Sequence, residues 1–264
     1  MKINITTQSC TLSDNGITDI ADKTLANIVT ENFRAARVME QFGLDFCCKG
    51  KVALHQACEN KKIDLNAIIH ELNQIDNASD YRTPDFNSWT CSLLAEYIIQ
   101  NHHNYIWGAA ERITRHIQKT ASRHGEVHPE LIAIADAFNT VIEELKLHMV
   151  KEERMLFPYI KSLDEAVRNG AELPSVPFAS IYSPIQQMHA EHETAGDLLA
   201  EISRLSNNYT PPEDACNTYR VSFAEMGEFE KDLHQHIHLE NNILFPKALE
   251  LENVVLSAGN QCSI

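Results

Sequence analysis

The chain has 264 residues and carries 22 Lys and Arg against 37 Asp and Glu, a formal net charge of −15. That balance argues against a nucleic-acid binder, which needs a basic footprint. Apolar residues make up 44%, too many for a disordered chain and enough for a buried core. The length exceeds the usual range for one compact domain, so one main domain and a smaller one are expected.

No apolar run reaches the length of a membrane span, and the opening MKINITTQSC has no apolar core, so nothing suggests membrane insertion or secretion. Seven cysteines is an odd number in a chain too large to depend on disulfide staples. Two of them, Cys47 and Cys48, are adjacent, a poor geometry for a mutual disulfide. The expected setting is a reducing cytoplasm with mostly free thiols.

Nine glycines and nine prolines punctuate the chain, and apolar residues recur at three- and four-residue steps over long stretches. The fold class is therefore all-α. Residues 1–18 read as a polar tail. Residues 19–80 read as a small helical domain holding Cys47-Cys48, with short helices over 19–41 and 62–75 around FGLDFCCKGKVALHQAC. Residues 76–88, DNASDYRTPDFNS, have turn composition and place the domain boundary. Residues 81–264 then form an up-down four-helix bundle. Its first helix runs from about Trp89 to Arg123. The second opens at Pro129 and runs to about Leu163, and the third covers about 179–206 with Pro184 near its start. The fourth opens at Thr210-Pro211-Pro212-Glu213, a capping box with proline at the first helical position, and runs to about Leu251.

Thirteen histidines carry the functional signal through their spacing. The second and fourth helices share one pattern: His148-x-x-x-Glu152-x-x-x-Leu156-Phe157-Pro158 and His236-x-x-x-Glu240-x-x-x-Leu244-Phe245-Pro246, 88 positions apart. The first and third helices carry His103 and His192, 89 positions apart. The bundle thus reads as a duplicated helix pair. Residues i and i+4 project from one helix face, so each His and Glu can reach one point. Steps of 45, 44 and 44 residues between successive histidines are compatible with one common depth in an antiparallel bundle.

Four imidazoles and two carboxylates converging there make a two-metal site: His103, His148, Glu152, His192, His236 and Glu240. Mixed nitrogen and oxygen donors without thiolate suit iron or manganese better than structural zinc. Two carboxylates buried together without a cation would have to share protons, a penalty that metal removes. The repeated Leu-Phe-Pro reads as core packing with a helix kink or end.

Glu144 and Asp232, each four residues before a ligand histidine, are candidate acceptors for an imidazole N–H or proton relays. Glu191, next to His192, is a candidate for lining access to the site. His189 lies on the face of His192 and is a candidate fifth imidazole. His102 competes with His103, and spacing favours His103. His234 and His238 flank His236 and are expected at the surface, while His116, His124 and His128 carry no signal. Lys49 and Lys51 beside the cysteine pair would favour a thiolate there, making Cys47 and Cys48 redox candidates.

The ligand pattern, with its contexts HMVKEERMLFP, MHAEHETAGDLL and HIHLENNILFPKAL, resembles the hemerythrin-like domain of the RIC (Repair of Iron Centers) di-iron proteins. TLANIVTENFRAARVMEQFGLDFCCKGKVALHQAC is similar to the short cysteine-containing domain that precedes it in that family. The resemblance covers about residues 19–250. It implies two non-haem irons per chain, oxo- or hydroxo-bridged, with Glu152 and Glu240 bridging. It implies cytoplasmic repair of iron–sulfur clusters damaged by oxidative or nitrosative stress, by iron delivery. Damaged iron–sulfur proteins are the implied partners. Nitric oxide or oxygen would be the small ligands, and nitric oxide reduction is the one enzymatic activity the resemblance implies.

Glu144 and Glu191 match acidic positions that the family associates with an access or iron-release path, and Cys47 and Cys48 match its cysteine pair. His189 and the tail with Cys10 fall outside the family pattern. The alternative function is a hemerythrin-like oxygen or nitric oxide carrier or sensor, which typically uses five histidines. A ferritin-like oxidase would show Glu-x-x-His pairs that this chain lacks at the expected positions. A homodimer through the small domain is compatible with the sequence.

Overall fold

The structure, a computed structural model, describes residues 20–76 and 84–261. The expected tail, Cys10 and most of the expected boundary segment lie outside those residues. Among the described residues the regular structure is helical, apart from an isolated bridge between Thr24 and Ala53. No described helix is long and apolar enough to cross a membrane.

The N-terminal part holds α1 (Leu25–Glu31), α2 (Ala35–Gln41), α3 (Leu54–Lys61) and α4 (Leu65–Asp76). The stretch expected as one helix over 19–41 is two. Thr24 Oγ1 caps α1 by accepting from Asn27 N at 3.2 Å. Asn32 then breaks the run, its side chain accepting from Arg34 N at 3.2 Å and its carbonyl from Ala35 N at 2.8 Å. Helix α3 lies inside the cysteine-bearing segment, where no separate helix was expected. Gly50 closes the turn after the cysteines. A Cβ there would sit 2.2 Å from the Phe46 carbonyl oxygen and 2.9 Å from Ala26 Cβ, so no side chain fits.

The bundle has four helices. α5 joins Cys91–Ile98, Ile99–His103 and Asn104–His124; α6 joins Glu130–Lys151, Glu152–Leu156 and Phe157–Asn169; α7 is Tyr182–Leu205; α8 joins Asn217–Leu239, Glu240–Leu244 and Phe245–Gln261. The middle segment of α5, α6 and α8 is one wide π turn. In α6 and α8 this turn decides how the Leu-Phe-Pro repeats behave. Phe157 N bonds to the Glu152 carbonyl and Phe245 N to that of Glu240. Pro158 and Pro246 follow with no N–H to place, and the helix continues instead of ending.

Two further starts have clear causes. Pro184 falls in the first turn of α7, where a missing N–H costs nothing. The buried Glu252 carboxylate holds that end, accepting from Ile181 N at 2.8 Å, Ser180 Oγ at 2.7 Å and Tyr159 Oη at 3.2 Å. Helix α8 starts at Asn217 and not at the expected capping box. The Arg220 guanidinium donates to the carbonyls of Ala215, Glu213 and Pro212 at 3.2, 3.0 and 3.4 Å and folds that segment over the helix end as a loop.

Helix α6 packs along both α5 and α7, α8 packs along α5, and α7 and α8 are the least closely packed neighbours. Two apolar clusters fill the interior. One, at the loop 125–129 end, holds Ile113, Phe138, Leu199 and Phe229 and merges with Val29, Met39, Phe46 and Leu54 of the N-terminal part. The other holds Leu94, Phe157, Ile160, Ile185 and Phe245. Each fully buried Phe stabilises the fold by about 1.5–3 kcal/mol of transfer free energy. A polar layer of histidines and glutamates lies between them.

Candidate metal centre

The structure brings all six expected ligand side chains together. His103, Glu152, His236 and Glu240 form one group whose ligand atoms lie within 4.8 Å of one another, and His148, Glu152, His192 and Glu240 form a second. Glu152 and Glu240 belong to both. Each group pairs the lone histidine of one half with the His-x-x-x-Glu histidine of the other: His103 Nε2 is 3.2 Å from His236 Nε2, and His192 Nε2 is 3.0 Å from His148 Nε2. Glu152 Oε2 lies 3.4 Å from His103 Nε2 and 3.3 Å from His148 Nε2. Glu240 Oε1 lies 3.0 Å from His236 Nε2, and its Oε2 lies 3.1 Å from His192 Nε2. None of the six is more than 2% exposed.

The π turns position these donors. Glu152 and Glu240 each open one, and His103 closes one. A single-turn widening of this kind re-aims side chains that a regular helix would rotate past the site.

The electrostatics suit a cation. Burial works against charge on His103 and His148, but the two carboxylates override it and raise both imidazoles to about 10. Burial likewise opposes charge on Glu240, yet His236, His103 and His192 hold it well below the ordinary carboxylate value. Both oxygens of Glu152 and Oε2 of Glu240 are buried without a hydrogen-bond partner. A buried carboxylate oxygen without a hydrogen bond is costly, and a cation bound between the two carboxylates would relieve that cost. The donor set of imidazole nitrogen and carboxylate oxygen fits iron.

A further shell orients the rings. His103 Nδ1 donates to Glu153 Oε1 at 2.9 Å, and His192 Nδ1 donates to Asn241 Oδ1 at 2.9 Å. Glu153 and Asn241 hold the same place in the repeat, one residue after the shared glutamate. Sequence reasoning missed both, although the shared offset was there to read. His148 Nδ1 donates to Glu191 Oε2 at 2.8 Å. Burial raises Glu191, but its bonds from His148, Lys151 and Gln187 outweigh that and bring it to about 2.

Glu144, the stronger expectation for this role, is exposed. It lines a cavity of about 250 Å³ with Leu147, His148, Lys151, Glu191 and Thr194. That cavity lies against the outer side of His148.

The His236 side differs. Asp232 accepts from His102 at 3.0 Å, not from His236. The buried His102 ring stacks on His236, centroids 5.6 Å apart and planes 9° apart. His189 stands outside both ligand groups, its ring edge-on to Phe245 at 5.8 Å.

The expectation that His234 and His238 face solvent is corrected. His238 is fully buried, 5.5 Å from the Phe46 ring and 6.1 Å from Phe33, and the half-buried His234 ring lies 6.3 Å from Phe46. The N-terminal part covers this face of α8. Burial pushes His238 down to about 4, so it is neutral at physiological pH.

The cysteine pair fills the seam between α7 and α8. Cys47 is buried, Cys48 half-buried, and their sulfurs are 3.8 Å apart. The Cys48 thiol donates to the His192 carbonyl at 3.5 Å, and Asn241 Nδ2 donates to the Cys47 carbonyl at 3.5 Å. Asn241 thus touches both the cysteine loop and a ligand histidine. The expected thiolate-favouring role of the lysines does not hold at Cys47. Lys49 turns to Asp197 at 2.8 Å, while the Cys48 thiol, burial and Asp45 push Cys47 well up.

Comparison with known proteins agrees with this arrangement. Residues 94–248 match the Hemerythrin HHE cation binding domain, and residues 21–76 match a domain of unknown function, DUF542. Iron-sulfur cluster repair protein YtfE of Musicola paradisiaca is 35% identical over 242 residues, covering 88% of this chain and 98% of its own. Iron-sulfur cluster repair protein ScdA of Staphylococcus haemolyticus is 29% identical, covering 84% and 96%. Iron-sulfur cluster repair protein YtfE of Yersinia pestis (strain Pestoides F) is 32% identical, covering 89% and 100%. A hemerythrin HHE domain behind a small cysteine-bearing domain, with relatives of this kind along nearly its whole length, the chain belongs to the iron–sulfur cluster repair (RIC) family.

Proposed function

We propose that this chain holds two non-haem iron ions between His103, His148, Glu152, His192, His236 and Glu240, and supplies iron to iron–sulfur clusters damaged by oxidative or nitrosative stress. The observation that carries the reading is the pair of shared carboxylates. Glu152 and Glu240 each stand between two imidazole pairs, with oxygens that have no other partner. Iron bound there supplies a redox-active cation and a store that can be given up.

The chain's own residues set how that store is held. Imidazole and carboxylate bind Fe(II) less tightly than a thiolate cage would, and protonating either weakens the hold. Glu153, Glu191 and Asn241 fix the rings through Nδ1. Glu191 and Glu144 line the cavity beside His148 and give a departing cation an acidic route. Nitric oxide or oxygen would enter by the same cavity, so nitric oxide binding or reduction belongs to the same site. The position of His189 leaves four imidazoles and weakens the carrier or sensor reading. The site of action is the cytoplasm, the clients are damaged iron–sulfur proteins, and the net charge of −15 disfavours nucleic acid.

The test is transfer of iron-57 from loaded protein to a dehydratase whose cluster has been damaged by nitric oxide. The expected result is labelled cluster and recovered dehydratase activity. Equal recovery with Glu152→Ala protein would overturn the reading.

A further inference from the structure

Outside the dinuclear layer, a second group of metal-ligating atoms lies together: one carboxylate oxygen of Asp45 and the sulfurs of Cys47 and Cys48, all within 4.8 Å of one another. We infer that Asp45, Cys47 and Cys48 form a separate site for a thiophilic cation such as Fe(II), Zn(II) or Cd(II), with Asp45 as its carboxylate donor.

The loop is built around Asp45. Its Oδ1 accepts from Cys47 N at 3.0 Å, Cys48 N at 2.9 Å and the Cys47 thiol at 3.3 Å, which sets both cysteines on one side of the carboxylate. A helix surface without a side chain faces the outer sulfur. A Cβ on Gly196 would come within 3.4 Å of Cys48 Sγ, and the His192 carbonyl one turn earlier lies 3.5 Å from it. Glycine within a helix costs about 1 kcal/mol relative to alanine, and here it gives the sulfur room. Lys49, next to Cys48 in sequence, pairs with Asp197 at 2.8 Å.

Two sulfurs and one oxygen suit a borderline or soft metal, in contrast to the nitrogen and oxygen donors of the main centre. Binding replaces protons with metal. Each thiol gives its proton to solvent, an Sγ–metal bond forms, and nothing is oxidised or reduced. Half-buried Cys48 leaves one side open to water or to a donor from another molecule. Asn241 joins this loop to His192, so the site lies next to the dinuclear centre. Its use as a staging point for iron leaving that centre rests on the repair reading, whereas its capacity to bind a thiophilic cation does not.

The experiment is a Cd(II) titration of reduced full-length protein, with and without iron loaded beforehand, read by thiolate-to-cadmium charge-transfer absorption. Imidazole and carboxylate give no such band, so the readout is independent of whether the main centre takes iron. The expected result is one thiolate-bound Cd(II) per chain. The band is lost in Cys47→Ser and in Cys48→Ser. It is retained in Cys216→Ser, which removes the exposed thiol beside His124. Asp45→Asn keeps an oxygen acceptor for the two amides but removes the charge, and weakens binding by roughly 10-fold or more, the scale on which partners of a metal site act. Circular dichroism and iron content confirm that each variant is folded. No band in the wild-type protein, or a band that survives in folded Cys47→Ser and Cys48→Ser, would overturn the site.

Discussion

Asn241 accepts a hydrogen bond from Nδ1 of His192 at 2.9 Å. Glu153 does the same for His103 from the equivalent place in the other half of the repeat. Such partners fix the tautomer and raise the basicity of a ligand imidazole, and losing one costs about 10–100-fold in metal affinity. Asn241→Leu and Glu153→Leu are each expected to fall in that range in a chelator competition. Unchanged affinity in both would show that the rings are held by packing alone.

Because Glu152 and Glu240 belong to both ligand groups, removing either should cost the whole centre. Glu152→Ala and Glu240→Ala are expected to purify without iron. His103 belongs to one group only, so His103→Ala should keep part of the metal. Elemental analysis of the three variants reads the difference, and full iron in Glu152→Ala would sink the assignment.

Among the described residues, the cysteine loop meets the centre through the His192 carbonyl and through Asn241. Cys47→Ala with Cys48→Ala should therefore retain the iron content and its Mössbauer spectrum. Loss of the centre in a folded double variant would make the cysteines ligands after all.

Away from the candidate centre, Glu230 of α8 is half-buried beside Tyr209 and near Glu40 of α2, with Lys231 as the facing cation. Burial raises it from 4.5 to about 7, and the neighbouring Tyr209 hydroxyl and the charge of Lys231 only partly oppose this. Glu40 is raised as well, again by burial first. The folded state then holds these protons more tightly than the unfolded one. The contribution is complete below pH 4.5 and is lost as pH rises through 7, by up to about 3 kcal/mol for Glu230. Glu230→Gln should flatten the fall in denaturation midpoint between pH 5 and 8 (roughly the window between the unfolded and folded values). An unchanged slope would contradict this.

The clustering of the six side chains was legible because both signals are local. Helical periodicity located the four bundle helices, and an exact internal repeat put His148, Glu152, His236 and Glu240 on matching faces. What escaped the sequence depends on tertiary contact. The π turns leave no spacing mark, since one widened turn shifts bonds without changing composition. The start of α8 moved because Arg220, on the helix itself, captures the carbonyls of the capping segment. His238 seemed a surface residue of a lone bundle and is buried because Phe33 and Phe46 of another part cover it. Glu191 outranks Glu144 because adjacency to His192 on α7 turns its carboxylate across to His148 on α6, a cross-helix contact that sequence offset does not encode.

Metal content per chain, measured on anaerobically purified full-length protein with a Mössbauer spectrum of the same sample, bears most directly on the account. Two irons per chain in a coupled pair is the predicted result. No iron, or a single tightly held zinc, would contradict it and remove the basis for iron donation by this chain.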